Sequence, residues 1–191
     1  HVSYFSVGVL SRLFGVSAME IFDVQEIGIH GGSILIYAQR SGGAYPQEPI
    51  VEHLLQKEKT LRLDTREPYL RFAKSAAKSQ QTLTKTLCDL KAAGKRIAGY
   101  GAAAKGNTLL NACGIDTTIV DYLVDKNPLK HNVYTPGTHI PVYPLEKLSH
   151  APPDYMLILA WNFASEIMEQ QVRYKEQGGK FIIPVPEVHI V

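Results

Sequence analysis

A glycine-rich stretch, GYGAAAKGN at residues 99–107, joins an apolar run to a segment with helical periodicity. Gly99, Gly101 and Ala104 have the spacing G-x-G-x-x-G/A, which in a strand–turn–helix unit presents bare backbone N–H groups to a phosphate. Lys105 adds a mobile cation to this turn. The same spacing also occurs in tight strand-to-helix turns that bind nothing, so by itself it leaves both interpretations open.

A dinucleotide site would also need an acidic residue about 20 positions further on, where it would bind a ribose hydroxyl. Asp121 and Asp125 bracket that position. Trp161 and Asn162 end an apolar segment that is typical of a buried strand, and open α/β sheets bind ligands at the carboxyl ends of their strands. The alternative for Trp161 is a side chain that only closes the end of the sheet.

A different candidate, His30, lies in the glycine-bounded turn GIHGGS at residues 28–33. An imidazole has an ordinary pKa of about 6.5, so it can accept or release a proton near neutral pH. His1 and Tyr4, at the start of the sequence, are weaker candidates on position alone. The plainer interpretation of His30 is an exposed histidine in a turn.

The composition limits the classes of function. The chain has 191 residues, of which 45% are hydrophobic and 20% charged, as expected for a globular protein of one or two domains. A net charge of +2 gives no indication of a nucleic-acid or membrane partner, and no apolar run approaches the roughly 18 residues of a membrane span. Cys88 and Cys113 lack metal-ligand or C-x-x-C spacing, so we expect no metal site and a reducing, cytoplasmic location.

The first part of the chain is predicted to be a helix that ends near Gly15, followed by strands at residues 19–27 and 33–39. A helix and a hairpin are too small to form a core of their own. We therefore expect residues 1–42 to be the end of a larger domain, with a Gly/Pro-rich linker and helices at 43–94.

The longest predicted helix covers residues 64–94, from the capping-box spacing of Asp64 and Glu67 to a glycine stop at Gly94. Apolar residues recur along it at intervals of three, four and seven, which predicts one buried face. These residues are Tyr69, Phe72, Ala76, Leu83, Leu87 and Leu90. Core packing is the simpler interpretation of this face, and a partner helix is the functional one.

Residues 95–191 alternate apolar strands with helices, which is typical of a parallel sheet covered on both faces. The predicted strands are at 96–101, 117–128, 139–144, 154–161 and 180–186. The predicted helices are at 104–114 and 163–179. The expected fold class is therefore α/β: a Rossmann-like parallel sheet with helices on both faces, preceded by a helix, a β-hairpin and two helices.

Four long segments carry a family resemblance: GYGAAAKGNTLLNACGI, DYLVDKNPLKHNVYTPGTHIPV, PDYMLILAWNFASEI and GGKFIIPVPEVHIV. In this order they resemble the C-terminal domain of sugar C-methyltransferases, and HVSYFS and IHGGS resemble the end of that family's central domain. Those enzymes use S-adenosylmethionine to methylate a carbon of nucleotide-linked keto-deoxysugars. The resemblance implies that residues 1–42 are the final helix and closing hairpin of a class I methyltransferase sheet.

The resemblance also implies roles for the candidate residues. His30 would be the base that removes a proton α to a ketone, with Tyr4 and His1 in the same cleft; its neighbour Ile29 offers no carboxylate to orient the imidazole. The glycine-rich turn would bind the nucleotide diphosphate of a dTDP-type substrate. The substrate-binding candidates are Gly99, Tyr100, Gly101, Ala102, Lys105, Asn107, Asp125, Trp161 and Asn162.

Other features of that family are implied to lie upstream. They are a central methyltransferase domain that binds most of the S-adenosylmethionine, and an N-terminal domain that binds zinc. We therefore expect the chain to be the last part of a longer enzyme and to be inactive alone. Two alternatives stay open: an NAD-dependent oxidoreductase or nucleotide-binding module, and a non-catalytic interaction domain.

Overall fold

A computed structural model describes residues 3–191, apart from the side chain of His30. The chain forms two compact units, residues 1–73 and 74–191, which divide within a long helix. The domain boundaries expected at residues 42 and 94 stay predictions. No helix among residues 3–191 combines the length and the apolar composition that a membrane crossing requires.

The first unit contains the predicted helix and hairpin. Helix α1 spans Val7–Val16, the antiparallel strands β1 and β2 span Met19–Ile27 and Ser33–Arg40, and helix α2 spans Pro49–Thr60. Their apolar side chains form a small core of Val7, Ile21, Val24, Val51 and Leu54. The predicted helix and both predicted strands are confirmed.

The start of α1 is stabilised by a carboxylate from α2. The two Glu58 oxygens accept the backbone N–H groups of Val7 at 2.6 Å and Gly8 at 2.8 Å, and the Ser6 hydroxyl accepts that of Val9 at 3.4 Å. These N–H groups have no acceptor within the helix, and a negative charge is favourable at this end of the helix dipole. Glu58 and Ser6 together cap α1, which begins three residues after Tyr4.

Helix α3 spans Glu67–Ala92, and only its second half is buried. Leu83 and Leu87 pack in the core of the second unit, whereas Tyr69 and Phe72 are 53% and 74% exposed. The prediction of one buried face along the whole helix is therefore wrong for its first turns. Apolar periodicity defines a helix face, but it does not supply the neighbour that covers it.

The second unit is built on a seven-stranded sheet. The strands are β3 Ile97–Tyr100, β4 Tyr122–Val124, β5 Val133–Tyr134, β6 Pro141–Tyr143, β7 Tyr155–Ile158, β8 Lys180–Ile183 and β9 His189–Ile190. Their spatial order is β5-β6-β4-β3-β7-β8-β9, in which the inner five are parallel and the two edge strands are antiparallel. The predicted parallel sheet is confirmed, with two short edge strands added.

Helices cover both faces of this sheet, as predicted. They are α3 together with α4 Ala104–Cys113, α5 Lys147–His150, α6 Ala164–Gln170 and α7 Val172–Glu176. Leu87 of α3 and Leu110 of α4 pack on one face, and Ile167 of α6 and Tyr174 of α7 pack on the other. The sheet therefore has an apolar core on each side, which explains why its strands are almost wholly apolar.

Two predicted elements differ in length from those found. The helix expected over 163–179 is two helices, which meet at Gln171. The strand expected over 117–128 is reduced to β4, because the Asp116 carboxylate accepts hydrogen bonds from the backbone N–H and hydroxyl of Thr118 and forms a turn there.

Candidate functional site

The order of the strands reverses between β3 and β7, which are adjacent in the sheet. From β3 the chain goes to β4 on one side, and it returns to β7 on the other. Open α/β sheets bind ligands outside the carboxyl ends of the strands at such a point. The segments that follow β3, β4 and β7 lie here, and we call this place the switch-point edge.

The turn after β3 depends on Gly101. Its φ of +93° lies in the region that favours glycine, and its N–H donates to the carbonyl of Val124 at 2.7 Å. A Cβ at this position would lie 3.0 Å from the Cβ of Ala160, in the segment after β7. Gly101 therefore allows the turn and also the close approach of the two segments.

The other glycines provide room for packing. Gly99 lies inside β3, where a Cβ would clash with Leu123 Cδ2, and a Cβ on Gly106 would lie 2.6 Å from that of Leu159. In the dinucleotide fingerprint the first glycine makes the turn and the third lets the helix pack closely. In the structure, the three positions of the fingerprint are therefore Gly101, Ala103 and Gly106. The sequence interpretation assigned them two residues earlier, to Gly99, Gly101 and Ala104.

Helix α4 begins at the switch-point edge with unpaired donors. Its N-cap residue, Ala103, has no side-chain acceptor, so the first N–H groups of the helix, from Ala104 to Gly106, lack an intrahelical partner. The Lys105 ammonium nitrogen lies 5.7 Å from the centroid of the Trp161 ring. This is a cation–π distance, so the structure brings together two predicted site residues that are distant in the sequence.

Trp161 belongs to a short 3-10 turn, Trp161–Phe163, that directly precedes α6. Trp161 is half-buried, whereas Asn162 and Phe163 are exposed. Part of the Trp161 surface therefore stays accessible at the switch-point edge.

Two predicted site residues have buried polar atoms without a hydrogen-bond partner in the described part of the chain: the Tyr100 hydroxyl and Asn107 Oδ1. Tyr100 is 4% exposed, and its burial raises the pKa of the phenol; the side chain of Gln171 opposes that shift without forming a well-shaped hydrogen bond. Tyr100 therefore stays protonated at neutral pH and lies beneath the edge rather than on its surface.

Asp125 follows β4 directly and is 8% exposed. Its carboxylate accepts the N–H groups of Ala102 at 2.7 Å and Asn127 at 2.8 Å, and it pairs with Lys130 Nζ at 3.2 Å. Asp121 precedes β4 and therefore lies at the opposite end of that strand, where it pairs with Lys91 at 2.5 Å. Of the two acidic candidates, only Asp125 belongs to the switch-point edge.

The histidine turn of the first unit is described by its backbone. Residues Ile29–Gly31 form a 3-10 turn between β1 and β2, and the Ser33 hydroxyl donates to the carbonyl of Ile29 at 3.0 Å. Tyr4 is 86% exposed. His1 and the side chain of His30 lie outside what the structure describes, so their grouping with Tyr4 stays a prediction.

Comparison with known proteins identifies the family. A profile described as the C-methyltransferase C-terminal domain matches residues 28–186. The chain belongs to this family. It is 35% identical to C-methyltransferase NovU from Streptomyces niveus over 191 residues, which are 100% of this chain and 46% of that protein. The chain therefore spans about half the length of the curated relative that it matches.

Two features of the described residues of this C-methyltransferase C-terminal domain concern a methyl donor and a metal ion. The glycines after β1 lead into β2 rather than into a helix. Within residues 3–191, apart from the His30 side chain, no three or more His, Cys, Asp or Glu residues are grouped as metal ligands.

Sequence interpretation missed two residues of the switch-point edge. Gly106 was available from the spacing, because G-x-A-x-x-G is also present from Gly101 onward. Lys130, which pairs with Asp125 and also donates to the carbonyl of Ala102 at 2.9 Å, had no signal of its own, because a lysine in a loop is ordinary. Lys130 is therefore recognisable only from contacts between segments, whereas Gly106 could have been found from the spacing.

Gly106→Ala is expected to destabilise the second unit by about 1–3 kcal/mol, because the added methyl group has no room beside Leu159. Gly15→Ala is the matched control: it is also helical but has open space around it, so it should stabilise by about 0.5–1 kcal/mol. Urea unfolding of both variants measures the difference. Stabilisation by Gly106→Ala would show that α4 does not pack this closely.

Proposed function

We propose that the chain is the C-terminal portion of an S-adenosylmethionine-dependent C-methyltransferase, and that its second unit binds the nucleotide diphosphate of a nucleotide-linked keto-deoxysugar. The methylated atom would be a carbon α to the ketone. Family membership and the C-methyltransferase relative support the methyl transfer. The observation that carries the substrate proposal is the Lys105–Trp161 pair beside the start of α4 at the switch-point edge.

The chemistry of this edge suits a nucleoside diphosphate. The unpaired N–H groups at the start of α4 and the positive end of its dipole favour an anion, and the Lys105 ammonium adds a full charge beside them. The Trp161 ring offers an aromatic surface on which a planar base can stack. A dTDP group would thus be held by its phosphates at α4 and by its base at Trp161.

The edge fits a dinucleotide less well. In the fingerprint set by the structure, Ala103 stands where a glycine normally lets the backbone approach a pyrophosphate. The Asp125 carboxylate, which would otherwise bind a ribose hydroxyl, accepts hydrogen bonds from the protein itself. The engaged Asp125 carboxylate favours a nucleotide sugar over NAD, whereas Ala103 affects the approach of the pyrophosphate in either ligand.

The proposed reaction needs a base near the sugar. An imidazole would take the proton α to the ketone, and the C–H electron pair would delocalise onto the ketone oxygen as an enolate. S-adenosylmethionine, when bound, would supply a sulfonium methyl group: the new C–C bond would form as the S–CH3 bond breaks, leaving S-adenosylhomocysteine. We assign the base to His30, with Tyr4 and His1 in the same cleft. Binding the remote nucleotide assists this step because it fixes the position of the reacting carbon.

A fluorescence titration tests the substrate proposal, because Trp161 is the only tryptophan in the chain. We expect dTDP to change its emission in a saturable manner, and neither NAD nor S-adenosylmethionine to do so at the same concentrations. Calorimetry with the same ligands provides a control that does not depend on fluorescence. Micromolar binding of NAD would overturn the proposal, and no binding of any ligand would favour a non-catalytic interaction domain.

A further inference from the structure

The carboxylate of Asp125 occupies the position of a ligand-binding residue, but its hydrogen bonds are formed within the protein. In dinucleotide-binding sheets an acidic residue near the end of the second strand binds a ribose hydroxyl. Here one carboxylate oxygen accepts both the Ala102 N–H at 2.7 Å and Lys130 Nζ at 3.2 Å, while the other accepts the Asn127 N–H at 2.8 Å. Both oxygens of Asp125 are therefore engaged within the chain.

Lys130 completes the contact from the other side. Its ammonium group donates to the carbonyl of Ala102 at 2.9 Å as well as to Asp125. The N–H and the C=O of Ala102 are thus both held by one ion pair, whose acidic side chain is 11% exposed. The imidazole of His131 contacts the backbone carbonyl of Asp125 at 2.8 Å and holds the same loop.

We propose that Asp125 and Lys130 form a clamp on Ala102 that orients the start of α4, and that they are positioning residues rather than ligands. Ala102 lies between Gly101, whose φ of +93° favours glycine, and Ala103, the N-cap of α4. Fixing Ala102 fixes the direction of the first N–H groups of the helix. The inference rests on the proposed function and deepens it: the edge recognises a nucleoside diphosphate through its phosphates, without a carboxylate on the ribose.

This arrangement explains why a buried carboxylate is tolerated beside a proposed phosphate site. An unpaired buried carboxylate would be costly and would repel an anion. The Lys130 charge and the two backbone donors compensate it. Lys105, which is exposed and does not contact Asp125, keeps its charge available for the phosphate.

The first test measures the clamp without any ligand. Amide hydrogen exchange, followed by NMR, should be faster at Ala102 by about tenfold in Asp125→Ala and in Lys130→Gln, because each removes a charge-assisted hydrogen bond. Lys126→Gln is the matched control: this lysine lies in the same loop but pairs with Glu166 at 3.8 Å. Unchanged exchange at Ala102 in both clamp variants would overturn the proposal.

The second test separates positioning from ribose binding. Calorimetry should show that Asp125→Asn weakens dTDP and inorganic pyrophosphate by the same factor, and that Lys130→Gln does the same. A carboxylate that binds the nucleoside sugar would affect dTDP alone, through the 3′-hydroxyl that is the only free hydroxyl of its deoxyribose. Because removal of a negative charge should by itself strengthen phosphate binding, weaker pyrophosphate binding by Asp125→Asn reports a change in geometry.

The two tests fail in different ways. If the wild-type chain binds neither dTDP nor pyrophosphate, the proposed function is wrong for this edge, whereas the exchange of Ala102 still decides whether the clamp exists. If both ligands bind but only dTDP responds to Asp125→Asn, Asp125 binds the 3′-hydroxyl of the deoxyribose and the positioning role is wrong. Parallel loss of both ligands together with faster Ala102 exchange supports the clamp.

Discussion

His30→Ala in the full-length enzyme is expected to slow exchange of the substrate's α-proton with solvent deuterium by about 10²–10⁴-fold, which is the usual contribution of a general base. The alanine cannot accept the proton, so the enolate would form only through water. Binding of S-adenosylmethionine should be unchanged, because we place most of its site upstream. NMR of the keto-sugar in deuterium oxide measures the exchange without requiring methyl transfer.

Three further variants assign the role. His53→Ala, an exposed histidine in α2, is the matched control and should leave the exchange unchanged. His1→Ala and Tyr4→Phe test the other two residues that the family resemblance places in the cleft. Normal exchange in His30→Ala would remove it from the base role, and loss of exchange in His1→Ala alone would transfer the role to His1.

The α/β architecture could be predicted because its signals are local. The inner strands are apolar runs buried on both faces, and glycines such as Gly94 and Gly114 follow the helices. Strands β5 and β9 were missed because two residues at a sheet edge carry no periodicity. Their existence depends on pairing with β6 and β8, and a pattern within one segment does not contain that information.

The switch-point edge was predictable in its location but not in its roles. Parallel strands place the segments after β3, β4 and β7 at one edge, so the sequence could bring Lys105, Asp125 and Trp161 together in general terms. Which glycines form the fingerprint could be decided only from the structure, because it depends on where an added Cβ would clash with a neighbouring segment. The role of Asp125 could not be predicted, because it depends on the ion pair with Lys130. A free carboxylate at this position would be available to a ligand, whereas the paired one acts as a clamp.

Lys105→Met is expected to weaken dTDP binding by about 10- to 100-fold, since a hydrogen bond to a charged group contributes about 1.5–3 kcal/mol. Methionine keeps much of the length of the side chain and removes the charge, so packing on Trp161 is largely retained while attraction for the phosphates is lost. Calorimetry with dTDP measures the loss. Lys126→Met is the matched control, because that lysine lies at the same edge but pairs with Glu166 at 3.8 Å.

The salt dependence of the same variant distinguishes a phosphate contact from a change in the shape of the edge. If Lys105 meets the diphosphate directly, raising the ionic strength should weaken binding to the wild-type chain more than to Lys105→Met, since screening acts on the charge that the variant lacks. A parallel decrease for both proteins would mean that Lys105 acts only by packing against Trp161. In that case dTDP affinity should fall in Lys105→Ala, which removes the packing, and not in Lys105→Met, which retains most of it.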